Sequence, residues 1–283
     1  MDSFQFLLNP SQELWNEMAV KIYNDVGWKT SFDDYDSFLE GFGKENFAFI
    51  VAVDKASGEP VACICGARFP CVEGSPSVFP IGQYYVLPEY RAHGLGKEVF
   101  AKLVEFADGA NMFLYAEPKM KQKYIERSGF DKFAEWDVIV ISANTKSVDL
   151  TRLQVEEDIK IASFNALDFN KFAVDVEGNV FGYCHARIVY KNAISIGPFY
   201  ADTQEVASTL LKHTLEAVPG FYNYESLNAF ISTTNTKGLD IYKSMVNGEL
   251  SANIVLPRLF TTETVKTAGD KGYSVTETNV NFM

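Results

Sequence analysis

Hydrophobic and polar positions alternate along this chain with two different periods, which predict its helices and strands. Apolar side chains recur at helical spacing in six stretches, which predicts helices at 10–26, 33–42, 94–108, 119–128, 203–217 and 238–245. Short apolar runs between turn residues predict strands at 47–53, 61–68, 81–86, 112–116, 133–142, 227–231 and 252–260. The turn residues at 54–60 predict a hairpin between the first two strands. Helices and strands therefore alternate through both halves of the chain.

The length of the chain indicates two domains. Its 283 residues are many for one hydrophobic core and enough for two, and apolar residues make up 47% of the composition. The stretch Asn144-Thr145-Lys146-Ser147 has no apolar side chain and is typical of a linker. We therefore expect one domain at residues 1–145 and a second at residues 150–283.

The clearest chemical signal lies at residues 86–97, which read Val-Leu-Pro-Glu-Tyr-Arg-Ala-His-Gly-Leu-Gly-Lys and join a predicted strand to a predicted helix. Residues 91–96 are expected to form the first turn of that helix. Unpaired N–H groups and the positive end of the helix dipole converge at such a turn, and glycine lets an anion approach the backbone. The Gly-Lys-Ser/Thr of a Walker loop and the third glycine of a dinucleotide fingerprint are absent. The segment predicts another kind of phosphate site, although a glycine pair alone is equally consistent with a tight turn.

The pattern Val-x-Pro-x-x-Arg-x-x-Gly-x-Gly in this segment resembles the pyrophosphate loop of the GNAT superfamily of N-acetyltransferases. The order of predicted elements in the first half is also similar to that of a GNAT domain. The resemblance implies an α+β fold, with a mixed, mostly antiparallel sheet flanked by helices, and acetyl-CoA as co-substrate. It places the thioester carbonyl near the backbone N–H of Val86. The residues that it assigns to CoA are Tyr85, Val86, Arg91, Ala92, His93, Gly94, Leu95, Gly96 and Lys97.

An internal repeat relates the two halves. Ala-Val-Asp at 52–54, a turn and the apolar run 61–68 recur as Ala-Val-Asp at 173–175, a turn and the run 180–187. Ile81-Gly82 recurs as Ile196-Gly197, and Glu98-Val99 as Glu205-Val206. Glycine and glutamate are 16 positions apart in the first copy and 8 in the second, which has therefore lost the glycine loop. The second half resembles the degenerate C-terminal domain of tandem-GNAT proteins, and we expect it to shape the acceptor site.

Acyl transfer from a thioester to an amine also needs a path for the amine proton. Many GNAT enzymes carry a glutamate on the strand before the loop, but this chain has none there. The base is therefore unassigned, and a water chain ending at Gln83, Tyr84 or Glu117 is the candidate route. Many family members also carry a tyrosine four residues before the Gly-Phe that ends the second short helix, which here is Ile125. The adjacent Tyr124 is the candidate acid, and packing at an aromatic interface is the alternative for this side chain.

Charge and cysteine content limit the partners and the compartment. The net charge of −12 disfavours a nucleic-acid partner, while Arg91, His93 and Lys97 supply local positive charge at the loop. The four cysteines, Cys63, Cys65, Cys71 and Cys184, are too few for a secreted disulfide framework and predict structural thiols in a reducing cytoplasm, without a metal. No apolar run is long enough to cross a bilayer, and the N-terminus has no export signal. We therefore expect a cytoplasmic protein with no membrane partner.

Three functions are consistent with these observations. The leading hypothesis is an acetyl-CoA-dependent N-acetyltransferase that acts on a small-molecule or peptide amine, as a monomer or homodimer. The absent glutamate and displaced tyrosine favour a catalytically weak or inactive protein that binds CoA or another ligand. An acyltransferase for longer or aminoacyl donors is the third. The sequence does not indicate the acceptor, and residues 261–283 fit either an added hairpin or an ordered tail.

Overall fold

The computed structural model describes residues 3–70, 77–163 and 169–280, and this part of the chain forms two β-sheets with helices packed against them. The helices are α1 (Gln12–Val26), α2 (Asp34–Phe42), α3 (Leu95–Ala107), α4 (Lys121–Ser128), α5 (Gln204–Glu216) and α6 (Thr236–Met245). The strands are β1 (Phe4–Leu8), β2 (Phe47–Asp54), β3 (Pro60–Ala67), β4 (Val78–Val86), β5 (Asn111–Tyr115), β6 (Lys132–Phe133), β7 (Val138–Asn144), β8 (Lys160–Ala162), β9 (Asn170–Val174), β10 (Val180–Val189), β11 (Ala193–Ala201), β12 (Ser226–Ser232), β13 (Ser251–Leu256), β14 (Arg258–Phe260) and β15 (Gly272–Ser274). All six predicted helices are confirmed to within two residues at each end.

Both sheets are mixed and mostly antiparallel. The first has the strand order β1-β2-β3-β4-β5-β14-β6, and only β4 and β5 run parallel within it. The second has the order β13-β7-β12-β11-β10-β9-β8, with β15 paired to β11, and only β11 and β12 run parallel. The predicted α+β class with two such sheets is confirmed, and the hairpins β2–β3 and β9–β10 correspond to the two copies of the repeat.

The two halves of the chain exchange strands. The strand predicted at 133–142 is instead two strands, because the chain leaves the first sheet after Phe133 and joins the second at Val138. The strand predicted at 252–260 is likewise divided at Pro257, so that β13 belongs to the second sheet and β14 to the first. Proline lacks the N–H group that a continuous strand would use, which favours a break at this residue. The division between the sheets therefore does not coincide with the predicted boundary at 145–150.

Helices cover the first sheet on both faces. Val99 and Leu103 of α3 are fully buried in the core on one face, and Trp15 and Met18 of α1 are fully buried in the core on the other. In the second half, α5 packs on β10 and β9 and buries Leu210. The face of β10 that presents Arg187 meets the first half, because this guanidinium forms an ion pair with Asp34 of α2.

The last described residues, 275–280, lie between the two sheets, and we call them the C-terminal strap. A Cβ atom on Gly82 of β4 would lie 2.0 Å from the Cα of Asn279, and one on Gly197 of β11 would lie 2.1 Å from the carbonyl oxygen of Val275. No other residue type leaves room for such backbone contacts. The equivalent glycines of the repeat thus contact Val275 and Asn279, near the two ends of the strap. The strap is part of the segment 261–283 that the sequence left open, of which residues 281–283 lie outside the described range.

Candidate functional site

The parallel strands β4 and β5 separate before β4 ends. Their register pairs Val78 with Asn111 and continues to Ile81 with Leu114, and the pairing stops there although β4 continues to Val86. Tyr115, the next residue of β5, pairs with β14 on its other side. Residues 82–86 of β4 therefore have no strand partner along this edge within the described chain, which leaves an opening between the two strands.

The backbone N–H of Val86 points into this opening. Val86 lies opposite Ala62 of β3, and the following N–H group, that of Leu87, donates to the carbonyl of Val61 at 2.9 Å. Because successive N–H groups of a strand point to opposite edges, the N–H of Val86 is directed away from β3 and toward the opening. It is placed to donate a hydrogen bond to a carbonyl oxygen held there.

The chain next passes through a 3-10 turn, Pro88–Tyr90, and enters α3 at Leu95 with Gly94 as the N-cap. Residues 91–94 thus precede the helix, so the expectation that 91–96 form its first turn is wrong for these four positions. The backbone turns sharply here, with a φ of 66° at Ala92 and 88° at Gly94. Glycine adopts this region without steric cost, which explains its place at the turn.

Six consecutive backbone N–H groups at this turn, those of residues 92–97, donate to no acceptor among the described residues. The N–H of Arg91 donates to the carbonyl of Pro88 at 3.2 Å, and the N–H of Glu98 donates to that of Gly94 at 3.2 Å. The groups between them include the free donors of the first turn of α3, at the positive end of its dipole. His93 and Lys97 lie exposed beside them. We call these free donors the cradle, because N–H groups arranged in this way can hold an anion.

The side chains of Arg91 and Tyr85, which the resemblance assigns to CoA, both contact Asp25 of α1. The Nε of Arg91 donates to the carbonyl of Val86 at 2.8 Å, and its guanidinium forms a 2.6 Å ion pair with Asp25. The hydroxyl of Tyr85 donates to the same carboxylate at 2.7 Å from the core on the α1 face. Hydrogen bonds from Tyr85 and Arg91 lower the pKa of Asp25. Both side chains therefore fix the end of β4 against α1.

Two tyrosines line the opening beneath α3. The ring centroids of Tyr84 and Tyr124 are 6.5 Å apart, and a Cβ atom on Gly96 would lie 2.7 Å from the Tyr84 hydroxyl, so this hydroxyl reaches the start of the helix. Neither hydroxyl has a hydrogen-bond partner among the described residues. Burial raises the pKa of both phenols, which therefore stay protonated at neutral pH and can donate. The structure thus places Tyr124 beside Tyr84, whose hydroxyl lies at the start of α3.

Gln83 lies on the other side of β4, in a β-bulge. The register skips between the pairs Cys65–Gly82 and Cys63–Tyr85, and Gln83 adopts a φ of 47°. Its side chain is 3% exposed, and its Nε2 donates to the hydroxyl of Thr30 at 3.2 Å, while its Oε1 has no partner in the described part of the chain. Buried amides are normally satisfied at both ends, so this oxygen is one of the few exceptions among the described residues.

The equivalent helix of the second half has no such cradle. Asp202 and Thr203 alone separate β11 from α5, and the hydroxyl of Thr203 accepts the N–H of Val206 at 3.3 Å. This hydroxyl caps the helix and removes one of the free donors that an anion would use. The loss of the loop predicted from the repeat is therefore visible in the backbone.

Residues 12–130 match the model of the family described as the Acetyltransferase (GNAT) family. No curated protein matches the chain.

Solved structures extend the likeness to the whole length. A proposed acetyltransferase from Pyrococcus horikoshii is 16% identical with a TM-score of 0.64, over 98% of this chain and 95% of that one. A tandem GNAT protein from the clavulanic acid biosynthesis pathway is 12% identical with a TM-score of 0.63, over 91% and 98%. A GCN5-related N-acetyltransferase from Sphaerobacter thermophilus is 12% identical with a TM-score of 0.59, over 98% of each. The chain therefore shares its fold with these proteins over almost its whole length.

Other features of the described residues bear on the chemistry. No group of three or more His, Cys, Asp or Glu side chains among them could hold a metal ion. Cys63, Cys65 and Cys184 are free and buried, and burial raises the pKa of each thiol; Cys71 lies outside the described residues. No described helix has the length and apolar character needed to cross a bilayer.

The sequence did not reveal the polar groups that lie between the two halves near the bulge of β4. No motif marks these groups, which come from four separate parts of the chain. They are Thr30 before α2, Asp34 in α2, Arg187 in β10 and Glu277 in the strap. One indication was available, because the repeated Ile-Gly pair marks the two strands that the strap contacts.

Proposed function

We propose that this protein is an acetyl-CoA-dependent N-acetyltransferase with one active site per chain, at the opening between β4 and β5. The observation that carries the proposal is the conjunction of six unpartnered N–H groups at 92–97 with the N–H of Val86 directed into the adjacent opening. A phosphate cradle and an oxyanion donor on one strand-turn-helix unit are the two parts needed to hold a CoA thioester.

The residues divide the work of the transfer. The loop N–H groups, with His93 and Lys97 beside them, hold the pyrophosphate, and the N–H of Val86 stabilises negative charge on the thioester oxygen. Acetyl-CoA supplies the activated acetyl group. The hydroxyl of Tyr124, protonated and without a partner among the described residues, is positioned as the donor to the leaving sulfur, with Tyr84 beside it.

The acceptor is a small-molecule or peptide amine that reaches the thioester from the α1 side of β4. The α3 side of the opening is already filled by Tyr84, Phe100 and Tyr124. On the other side lie Gln83 and the interface with the second half, which supports a role for that half in shaping the acceptor site. A cytoplasmic location and a monomeric or homodimeric state remain part of the proposal.

Titration calorimetry with acetyl-CoA tests the cofactor site. One site per chain is expected, and Gly94→Trp should abolish binding, because the indole would occupy the cradle. Gly178→Trp is the matched control: Gly178 has a φ of 91° against 88° for Gly94, and neither has an atom within 4 Å of an added Cβ. Gly178→Trp thus introduces similar backbone strain at a turn of the second half, and its binding of acetyl-CoA should be unchanged.

Two sites per chain, no binding, or equal losses in both variants would contradict the proposed site. A free-thiol assay of CoA release with a panel of primary amines then tests transfer. Intact binding without CoA release from any amine would favour the ligand-binding alternative, and preference for longer thioesters in competition would favour a different acyl donor.

A further inference from the structure

A buried polar cluster lies between the two halves, beside the bulge of β4. Its members are Gln83, Asp34, Arg187 and Glu277. Arg187 of β10 donates to Asp34 of α2 and, at 3.0 Å, to the carbonyl of Thr276 in the strap. Asp34 and Glu277 are 5% and 6% exposed. The cluster is thus assembled from both halves of the chain and the strap.

One carboxylate of this cluster has no cation in contact. Arg187 is paired with Asp34, whereas the two oxygens of Glu277 accept only the backbone N–H groups of Asn279 at 2.7 Å and Val280 at 3.0 Å. Within the described chain Glu277 forms no ion pair. A buried carboxylate without a counter-ion is costly, so it either holds a proton or receives a cationic ligand. Burial raises the pKa of Glu277 to about 7, with Arg187 opposing the shift and Asp34 adding to it.

The amide of Gln83 is a second incompletely satisfied polar group near this cluster. It reaches Thr30, and the neighbouring N–H of Ser31 donates to Asp34 at 3.2 Å, so the amide borders the segment that holds this carboxylate. The unpartnered atom of the amide is the acceptor Oε1. If Oε1 and Nε2 exchanged positions, Nε2 would be the atom without a partner. The charge of the cluster selects the ligand: two carboxylates against one guanidinium favour a cation that donates hydrogen bonds.

Glu277 also lies close to β4, the strand that ends at Val86. The Asn279 backbone, whose N–H this carboxylate accepts, packs directly on Gly82, the residue before Gln83. Val280 shares a core with Cys65 and Tyr85 on the same face of β4. A thioester held by Val86 lies in the plane of the sheet, and its α3 side is filled, so the attacking amine approaches from the face that carries the strap.

We infer that the acceptor is a primary amine that enters as its ammonium cation, and that Glu277 is the catalytic base that takes its proton. The inference rests on the proposed transferase function. One proton passes from the ammonium to the Glu277 carboxylate, and the neutral amine attacks the thioester carbon. The C–N bond forms and the C–S bond breaks. The Tyr124 hydroxyl gives its proton to the leaving thiolate, which becomes the CoA thiol. The second amine proton restores the Tyr124 hydroxyl, and Glu277 returns its proton to solvent.

The test is the pH dependence of kcat/KM for the amine acetylated best among putrescine, spermidine, tyramine, glucosamine and a lysine peptide. Glu277→Gln should lower kcat at neutral pH by roughly 10² to 10⁴. It should also remove an acidic limb with an apparent pKa near 7. Binding of acetyl-CoA in calorimetry should not change. Glu277→Asp keeps a carboxylate and should retain the limb with a smaller loss of rate. Glu263→Gln, an exposed glutamate of the same C-terminal region, is the control and should match the wild type.

Each result decides between the two proposals. If the wild type acetylates no amine, the proposed function and the role of Glu277 fail together. If the wild type is active and Glu277→Gln keeps its rate or its acidic limb, the inference alone is overturned. A variant with a lowered Tm, reduced rate and unchanged pH profile would show that Glu277 only supports the strap.

Discussion

At the scale of the residue, Tyr124 has two candidate roles: its ring packs against neighbouring aromatic side chains, and its hydroxyl is the candidate catalytic acid. Its ring packs against Tyr84 and Phe130, as an interfacial aromatic would, while its hydroxyl has no partner among the described residues. Packing alone does not require a hydroxyl without a hydrogen-bond partner. Donation of a proton to a leaving sulfur does require one.

Tyr124→Phe therefore distinguishes the two roles. The ring contacts persist, so stability and acetyl-CoA affinity should be unchanged, while kcat should fall by roughly 10² to 10⁴ if the hydroxyl is the acid. Steady-state kinetics and calorimetry measure the two quantities. Tyr222→Phe, which removes a hydroxyl from a half-exposed ring of the second half, provides the comparison. An unchanged kcat would leave Tyr124 a packing residue.

At the scale of the element, the C-terminal strap depends on two backbone contacts. Gly82 and Gly197 each bring a strand into direct contact with the strap, and both distances are far below a normal contact for a Cβ atom. The strap in turn carries Glu277 and accepts a hydrogen bond from Arg187. Strand, strap and cluster therefore form one packed unit.

Gly82→Ala should displace the strap and destabilise the protein by about 2 kcal/mol, since overpacking against backbone cannot be relieved by a rotamer change. Gly41→Ala is the counterpart. Gly41 lies near the end of α2 with nothing within 4 Å of an added Cβ, so alanine there should be neutral or stabilising by less than about 1 kcal/mol. Urea unfolding of both variants measures the difference. Equal effects would show that the strap yields to a methyl group without cost.

The elements themselves were largely predictable, because helical spacing and short apolar runs reflect local burial. The strand predictions were wrong where the hydropathy pattern carries no information about which strands pair with each other. The apolar run at 252–260 is continuous in hydropathy, yet Pro257 divides it between two sheets. The short strands β1, β8 and β15 were not predicted, since each exists through its pairing to a neighbour more than through its own sequence.

At the scale of the whole molecule, the strand exchange makes the two halves interdependent. The first sheet requires β14 beside β5, and the second requires β7 between β13 and β12. Arg258 of β14 is 1% exposed, and its guanidinium lies 3.6 Å from the ring centroid of Trp136, within the segment that connects β6 to β7. Both crossings are therefore packed together.

A fragment of residues 1–145 should consequently fail to fold. It lacks β14, leaves the edge of β5 open and carries β7 without its sheet. Near-UV circular dichroism and amide NMR dispersion should show native packing in the full chain and none in the fragment. A well-dispersed spectrum with acetyl-CoA binding from the fragment would establish an autonomous first domain with the predicted boundary.

The sequence by itself determined the helices, the glycine loop, the repeat and the acetyltransferase resemblance, because all of these are written in residues close together along the chain. The residue pattern of the loop predicted a CoA site. The structure added the direction of the Val86 N–H and the six N–H groups of residues 92–97 that have no acceptor among the described residues. Only the tertiary structure decided the strand exchange and the cluster of Asp34, Arg187, Gln83 and Glu277. These residues are separated by up to 243 positions (277 − 34) and are brought together by packing between sheets, which leaves no periodicity in the sequence to read.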